Sequence, residues 1–415
     1  MDIRKDAEQI IRESIRRVLP DEAVARALQD RSFGQGRILV VAAGKAAWRM
    51  AAAAARILGN RISGGVVVTK YGHAEAEIPG MACYEGGHPV PDENSFRGTQ
   101  AALELVRDLS PEDTVLFLLS GGGSALFEKP LIPGEELSDI TGQLLACGAD
   151  IVEINTVRKR LSAVKGGRFA HLCKPAGVFG IVLSDVLEDR PDMIASGPVS
   201  PDSSTCSDAM AVIRKYGLRL SEKALECMGR ETPKELSNVE TVLAGSVGRL
   251  CEAAAEECRR LGYETVLLTD RLCCEAKEAG SFLAAIAKSH ENTDRSLAFI
   301  AGGETVVRLT GKGKGGRNQE LALSAARGIA GMEDTAVFSV GSDGTDGPTD
   351  AAGGFCDGGT QAVLAAQGVD ISENLRQNDA YTALSKCNGL IFTGPTGTNV
   401  NDVAVVLIKK RRLRH

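Results

Sequence analysis

The sequence predicts an α/β protein of two domains, each a sheet covered by helices. Three observations lead there. The chain has 415 residues, more than one compact core serves. Strand-like and helix-like stretches alternate for most of its length, the rhythm of βαβ units in a parallel sheet. That rhythm breaks once, in the polar, aperiodic stretch MGRETPKELSNVE (228–240), and then restarts. The expected domains are therefore 1–235 and 236–415.

Taken in order, MDIRKDAEQIIRESIRRVL spaces Ile3, Ala7, Ile10, Ile11, Ile15 and Val18 along one face among charges. This predicts an amphipathic surface helix, and its acidic residues argue against a signal or transit peptide. RILVVA (37–42) reads as a buried strand, and KAAWRMAAAAARIL (45–58) as a helix of strong formers. GGVVVTK (64–70), DTVLFLL (113–119) and GVFGIVLS (177–184) are further strands, with helices expected at 92–108, 136–149 and 204–215. In the second half, TVLAG (241–245) precedes a helix at 247–260, and TVLLT (265–269) one at 274–289. SLAFIAG (296–302) and TVVRLT (305–310) are expected to pair as a hairpin through Gly302, Gly303 and Glu304. A helix at 317–329 and a strand, TAVFSV (335–340), follow. The last strand, 402–408, has two destinations open to it, the second domain or a return to the first.

Composition narrows the function. A net charge of −6 and an aromatic content of 4% leave neither an electrostatic footprint nor stacking platforms for nucleic acid. The one basic block, KKRRLRH, reads as a solvated tail. No apolar run reaches membrane-spanning length. Eleven cysteines without metal-type spacing fit free thiols in a reducing cytoplasm.

In open α/β sheets, ligands gather at the carboxyl ends of strands. Gly44-Lys45 follows the first strand and opens a helix, a place for an anion with a point charge beside it. Ser120-Gly121-Gly122-Gly123-Ser124 follows the third, and successive glycines let backbone amides approach a phosphate. Asp185 follows the fourth. INTVRKRLSAVKGGRFA (154–170) supplies Arg158, Arg160, Lys165 and Arg168. Glu304, Lys312, Lys314 and Arg317 stand in GGETVVRLTGKGKGGRNQE, and Asp343, Asp346 and Asp350 in GSDGTDGPTDAAGG. FTGPTGTNVND adds Asn399 and Asp402, and GGHPVPDENS adds His88. Each has a plain structural reading as well: turn glycines, helix caps, a solvated helix face.

Gly311, Gly313 and Gly316 spell G-x-G-x-x-G between an expected strand and a helix, the setting of a dinucleotide turn, and Asp343 follows the next strand. Against it stand three cations in the loop and several other glycine-rich strand ends. Phosphate-like loops with Lys, Arg and Asp in both halves suit phosphoryl transfer, where catalysis is mostly positioning and charge neutralisation.

Together AAGKAA, GGHPVPDENS, LSGGGSALFEKP, INTVRKRLSAVKGGRFA, LSDVLEDRPDMIASGPVSPD, GGETVVRLTGKGKGGRNQELAL, GSDGTDGPTDAAGG and FTGPTGTNVNDVAV resemble the motifs of the glycerate 2-kinase family, in the expected order from about residue 40 to 406. The resemblance implies an N-terminal Rossmann-like parallel sheet flanked by helices, a C-terminal MOFRL-type α/β domain and an active site in the cleft between them. It implies phosphorylation of D-glycerate at its 2-hydroxyl, with ATP and Mg2+. Lys45 and Arg317 are then expected to stabilise charge on the phosphoryl group and Asp185 to position the hydroxyl. Gly44, Ser120, Gly121, Gly122, Gly123, Ser124, Glu304, Gly313, Lys314, Gly315 and Gly316 are expected around the nucleotide. His88, Arg158, Lys165 and Asn318 are expected at glycerate, and Asp343 and Asp346 at the metal. Val247 stands where many relatives carry Asn after Ser246, which leaves that loop's role open. No nucleic acid or membrane partner is expected, and a homodimer is one assembly open to the chain. The alternative activity is an NAD(P)H-dependent hydroxypyruvate reductase.

Overall fold

A computed structural model describes residues 2–184 and 191–410. The chain forms two compact units, one of residues 20–244 and one of residues up to 19 together with those from 245 onward.

The 20–244 unit is built on β1 (Ile38–Ala43), β2 (Ile62–Lys70), β3 (Met81–Gly86), β4 (Thr114–Leu119), β5 (Gly177–Leu183) and β6 (Val239–Gly245), in the order β3-β2-β1-β4-β5-β6. The pairs β1–β2, β2–β3, β1–β4 and β4–β5 are parallel. This is the Rossmann order, whose direction of winding reverses between β1 and β4. β1 reads ILVVAA because both its faces are covered. Val40 and Ala42 join Leu116, Leu118 and Ile181 on one face, beneath Met50, Ala51 and Ala54 of the helix Ala47–Leu58. Val41 and Ala43 join Val115, Phe117 and Leu119 on the other. There the rings of Phe117, Phe127 and Phe169 meet at centroid distances of 5.5, 5.1 and 5.2 Å, anchoring the chain that leaves β4. Hydrophobic alternation does not reveal β3, because MACYEG is a partly exposed edge strand.

The second sheet runs β11-β10-β9-β12-β8-β7, from β7 (Glu264–Leu272), β8 (Leu297–Gly303), β9 (Thr335–Gly341), β10 (Gly353–Asp357), β11 (Leu390–Ile391) and β12 (Asp402–Ile408). Only β7–β8 is parallel; β12 lies antiparallel to both β8 and β9. The last strand thus fills the middle of the second sheet.

Three expectations change. The boundary moves from 235 to 244, because β6 belongs to the first sheet; Val178 donates to the Asn238 carbonyl at 2.7 Å just before β6 begins. The helix Ile3–Arg17 belongs to the second unit. Its buried Asp6 accepts from the Tyr263 hydroxyl (2.7 Å) and pairs with Lys409 (2.8 Å), and Gln9 donates to Glu257 (2.7 Å). The hairpin at 305–310 does not form, since β7 and β12 already occupy both edges of β8. That segment is extended, with a single bridge from Val306 to Glu275, and Leu309 is 80% exposed. Among the described residues, no helix is long and apolar enough to cross a membrane.

Candidate active site

The winding reversal puts the loops after β1 and β4 side by side. Gly44 has φ 122°, and a Cβ there would lie 2.3 Å from Ser120 Oγ, so only glycine lets the two loops touch. Two hydrogen bonds join them, Lys45 N–H to the Gly121 carbonyl (2.9 Å) and Ala46 N–H to Ser120 Oγ (3.0 Å), and Thr69 Oγ1 of β2 donates to the Gly44 carbonyl (3.0 Å). Gly122 is left-handed at φ 84°, and a Cβ there would lie 3.0 Å from the His88 ring and 3.2 Å from Lys45 Cγ. The amides of Gly121 and Gly122 bond to no group among the described residues.

Lys45 is half-buried here, and its ammonium has no carboxylate partner among the described residues. Lys70 closes β2 beside it, and His73 Nδ1 lies 2.9 Å from the Lys45 carbonyl oxygen. Burial first, and then the charges of Lys45, Lys70 and His73, push the His88 imidazole below its ordinary 6.5. An acidic chain that gathers cations without carboxylate partners among the described residues near a loop of amides likewise without partners there offers an anion site. Lys70 and His73 escape a motif search; the signal for Lys70 is its place at the end of β1's neighbour.

Arg158 and Lys165 are found behind this loop, which corrects their expected role at the substrate. Arg158 Nη2 and Lys165 Nζ donate to the Ser124 carbonyl at 3.0 and 2.9 Å, and Lys165 also donates to the Phe127 carbonyl at 2.9 Å. Both flank the fully buried Glu128, at 3.7 and 3.3 Å. Burial lowers the Lys165 ammonium to about 8, opposed by Glu128. Their charge holds the loop's shape.

In the other unit, antiparallel β12 brings Asp402 level with Gly303 of β8 and Gly341 of β9. Arg317, first residue of the helix Arg317–Gly328, grips it with Nε to Oδ2 (2.5 Å) and Nη2 to Oδ1 (3.1 Å), while Nη1 donates to Glu304 (3.0 Å). The sequence marks Asp402 as a candidate, but only strand order brings it to Arg317.

Asp346 caps the same helix, accepting from the amides of Asn318 (3.2 Å) and Gln319 (2.9 Å). Asn318 is buried, taking a hydrogen bond from Ser339 (2.5 Å) and reaching Asp346 (3.4 Å), so it is a packing residue where a substrate contact was expected. Asp343 accepts from the Thr345 amide at 3.0 Å. Magnesium wants carboxylate oxygens that are free and solvent-facing. Both Asp346 oxygens are committed to amides in a buried place, so Asp343 and Asp346 do not fit as its ligand pair.

Burial, the largest influence, lifts the Asp346 carboxyl from 3.8 to about 6, against the pull of the two amides. Its folded value lies above its unfolded one, so protonation favours the folded chain. This group's contribution to stability therefore falls as pH rises from about 4 to about 6. Asp346→Asn is expected to flatten that part of the stability curve in urea midpoints taken across the window. An unchanged slope contradicts the assignment.

The G-x-G-x-x-G loop has a structural explanation. A Cβ on Gly311 would lie 2.3 Å from Gln377 Cα, one on Gly313 2.4 Å from Asp379 Cβ, and one on Gly316 2.2 Å from Asp346 Cγ. The Gly313 amide bonds to the Gln377 carbonyl (2.8 Å), the Lys314 amide to Asp379 (3.0 Å), and the Lys314 ammonium sits 4.0 Å over the Tyr381 ring. Gly315 lies against Ala380. The glycines admit the chain's own 377–380 segment, and Asp346 already fills the helix start that a pyrophosphate needs. Gly313, Lys314, Gly315 and Gly316 are therefore reassigned from the nucleotide to packing. Gly311→Ala is expected to cost about 1–3 kcal/mol of stability and to leave the KM for ATP unchanged. A raised KM with unaltered urea midpoint contradicts this.

Asp185 lies outside the described residues. Val247, the departure from the family pattern, is buried against Gly302 of β8, and Ser246 caps its helix through the Arg249 amide (3.4 Å).

Comparison with known proteins places the whole chain. The model described as a domain of unknown function (DUF4147) matches residues 6–229, and that of the MOFRL family matches residues 297–402. The chain is 53% identical over 412 residues to the D-glycerate 2-kinase of Thermotoga maritima, covering 98% of each. It is 42% identical over 441 residues to the glycerate 2-kinase of Pyrococcus horikoshii, covering 100% of this chain and 99% of the relative. The crystal structure of glycerate kinase from Thermotoga maritima superposes with a TM-score of 0.93 at 53% identity, covering 97% of this chain and 99% of that one.

Proposed function

The chain belongs to the glycerate 2-kinase family, and from that premise we propose that it transfers the γ-phosphoryl group of ATP to the 2-hydroxyl of D-glycerate, releasing ADP and 2-phosphoglycerate. The observation that carries the reading is Lys45, its ammonium without a carboxylate partner and its Cγ packed toward Gly122, in a loop bonded to Gly121 where the winding of the sheet reverses and where the amides of Gly121 and Gly122 have no partner among the described residues.

In the transfer, the bond from the glycerate oxygen to phosphorus forms as the β,γ-bridging bond breaks, and charge spreads over the phosphoryl oxygens. Lys45 neutralises that charge, and the two amides donate to phosphate oxygens without having to reorganise. The His88 imidazole, kept neutral by burial and its cationic neighbours, hydrogen-bonds the substrate without adding charge. Asp185, next in sequence after Ser184, positions the 2-hydroxyl, the role the resemblance implies, and the hydroxyl proton passes to a carboxylate base or to solvent as the bond to phosphorus forms. A role for Arg317 on the phosphoryl group comes from the resemblance alone; within its own unit its guanidinium is held by Asp402 and Glu304. A divalent cation, magnesium by the resemblance, is expected with the nucleotide. Eleven free cysteines support a reducing cytoplasm as the setting.

The test is ADP release with ATP, magnesium and D-glycerate, with the product's phosphorus position read by NMR. The expected result is glycerate-dependent ADP and 2-phosphoglycerate. ATP-independent oxidation of NADH by hydroxypyruvate contradicts it.

A further inference from the structure

Beneath the glycine loop, Ala195, Ser196 and Gly197 are left-handed in succession, with φ of 50°, 60° and 65°. Residues with a Cβ avoid this region, and they persist there only where the surroundings impose it. The surroundings here are specific. The amides of Gly166 and Gly167 donate to the carbonyls of Ser196 (2.9 Å) and Gly197 (2.7 Å). From above, Gly123 rests on Ala195: a Cβ on Gly123 would come within 2.7 Å of the Ala195 Cβ. Ser196 Oγ donates to Asn155 Oδ1 at 2.7 Å and meets Ser124 Oγ at 3.3 Å. Asn155 Nδ2 lies 3.6 Å from Met193 Sδ, and both Asn155 and Ser196 are buried.

The direction of this chain of bonds is set at its far end. The Asn155 carbonyl oxygen only accepts, so the Ser196 proton points to it, and Ser196 Oγ is left to accept from Ser124. The Ser124 proton is thereby turned inward, away from the free amides of Gly121 and Gly122. Its carbonyl is held from the same side by Arg158 and Lys165.

We propose that Ser196 and Asn155 are positioning residues for phosphoryl transfer: the left-handed strut and its hydroxyl relay fix the height and tilt of the Ser120–Ser124 loop, with Ser124 as the loop's foot instead of a ligand to the nucleotide. The inference rests on the kinase reading above. Its physical content is that the strut stores an unfavourable backbone shape to place two amides.

The deciding variant is Ser196→Gly, which suits the left-handed backbone but lacks the hydroxyl. It is expected to keep or raise the thermal midpoint while kcat falls about tenfold or more, the scale of a small misplacement of a reacting group, with the KM for D-glycerate held within about twofold. Asn155→Leu is expected to lower kcat similarly. The double variant should lose little more, because the two act through one relay. Unchanged kcat in Ser196→Gly overturns the proposal. So does a parallel fall of kcat and thermal midpoint in both single variants, which marks a merely structural role. Should the wild-type protein release no ADP with D-glycerate, the kinase reading itself fails; wild-type turnover with unaffected variants removes only the strut's role.

Discussion

Lys45→Ala is expected to lower kcat by about 100-fold or more, the scale on which one transition-state donor is missed. The reason lies in the ammonium's surroundings. It has no carboxylate partner among the described residues, and the Lys45 Cγ, like the His88 ring, lies close to Gly122 at the reversal between β1 and β4. A lysine in a structural ion pair does not look like this. Removing it breaks no ion pair among the described residues, so stability should change by only about 0.5 kcal/mol, as for ordinary partly exposed positions. Lys45→Arg is expected to recover little, because a planar fork replaces a compact point charge. Steady-state ADP release and a urea titration on each variant check the pair of expectations. Near-normal turnover in Lys45→Ala removes the mechanism.

Lys165→Met is expected to cost about 3–5 kcal/mol of stability, the penalty for stranding one member of a buried ion pair. Neither Glu128 carboxylate oxygen has a hydrogen-bond partner among the described residues, and both nearby cations lie beyond tight contact, at 3.3 and 3.7 Å. The Lys165 ammonium also satisfies the Ser124 and Phe127 carbonyls, which lose a donor when it goes. Pairing Lys165→Met with Glu128→Leu should recover part of the loss, since the uncompensated charge disappears with the carboxylate. Denaturant midpoints of the two variants decide. A loss below about 1 kcal/mol, the range of exposed pairs, contradicts the assignment.

Much of the first sheet was legible because its strands are covered on both faces and read as unbroken apolar runs between turn glycines. β1, β4 and β5 announce themselves in this way. The 305–310 segment carries the same apolar composition, but composition does not say whether a neighbouring strand has a free edge; β8 had none. Glycine was ambiguous for a related reason. At 44 it lets two strand-end loops touch, at 122 it allows a left-handed turn beside amides without partners among the described residues, and at 311, 313 and 316 it admits the chain's own 377–380 segment and Asp346, and the letters are the same. Cations divide likewise. Lys45 and Lys165 are each a lysine near a glycine, yet one stands after a strand end with no carboxylate partner among the described residues and the other is buried among three acceptors. Asp402 and Ser196 both lie in quoted motifs, but what each does arises from strand order and from backbone handedness, which the letters do not record.

The central claim is that the phosphate-bearing ligand is held by the Gly44-Lys45 and Ser120–Ser124 loops and not by the glycine pattern at 311–316. Amide hydrogen exchange with and without ATP and magnesium reads both places in one measurement. The account predicts slowed exchange at Gly121 and Gly122, whose amides have no partner among the described residues, and no change across 311–316, whose amides at Gly313 and Lys314 are already bonded within the chain. Nucleotide-dependent protection of 311–316 with none at 120–124 would contradict it.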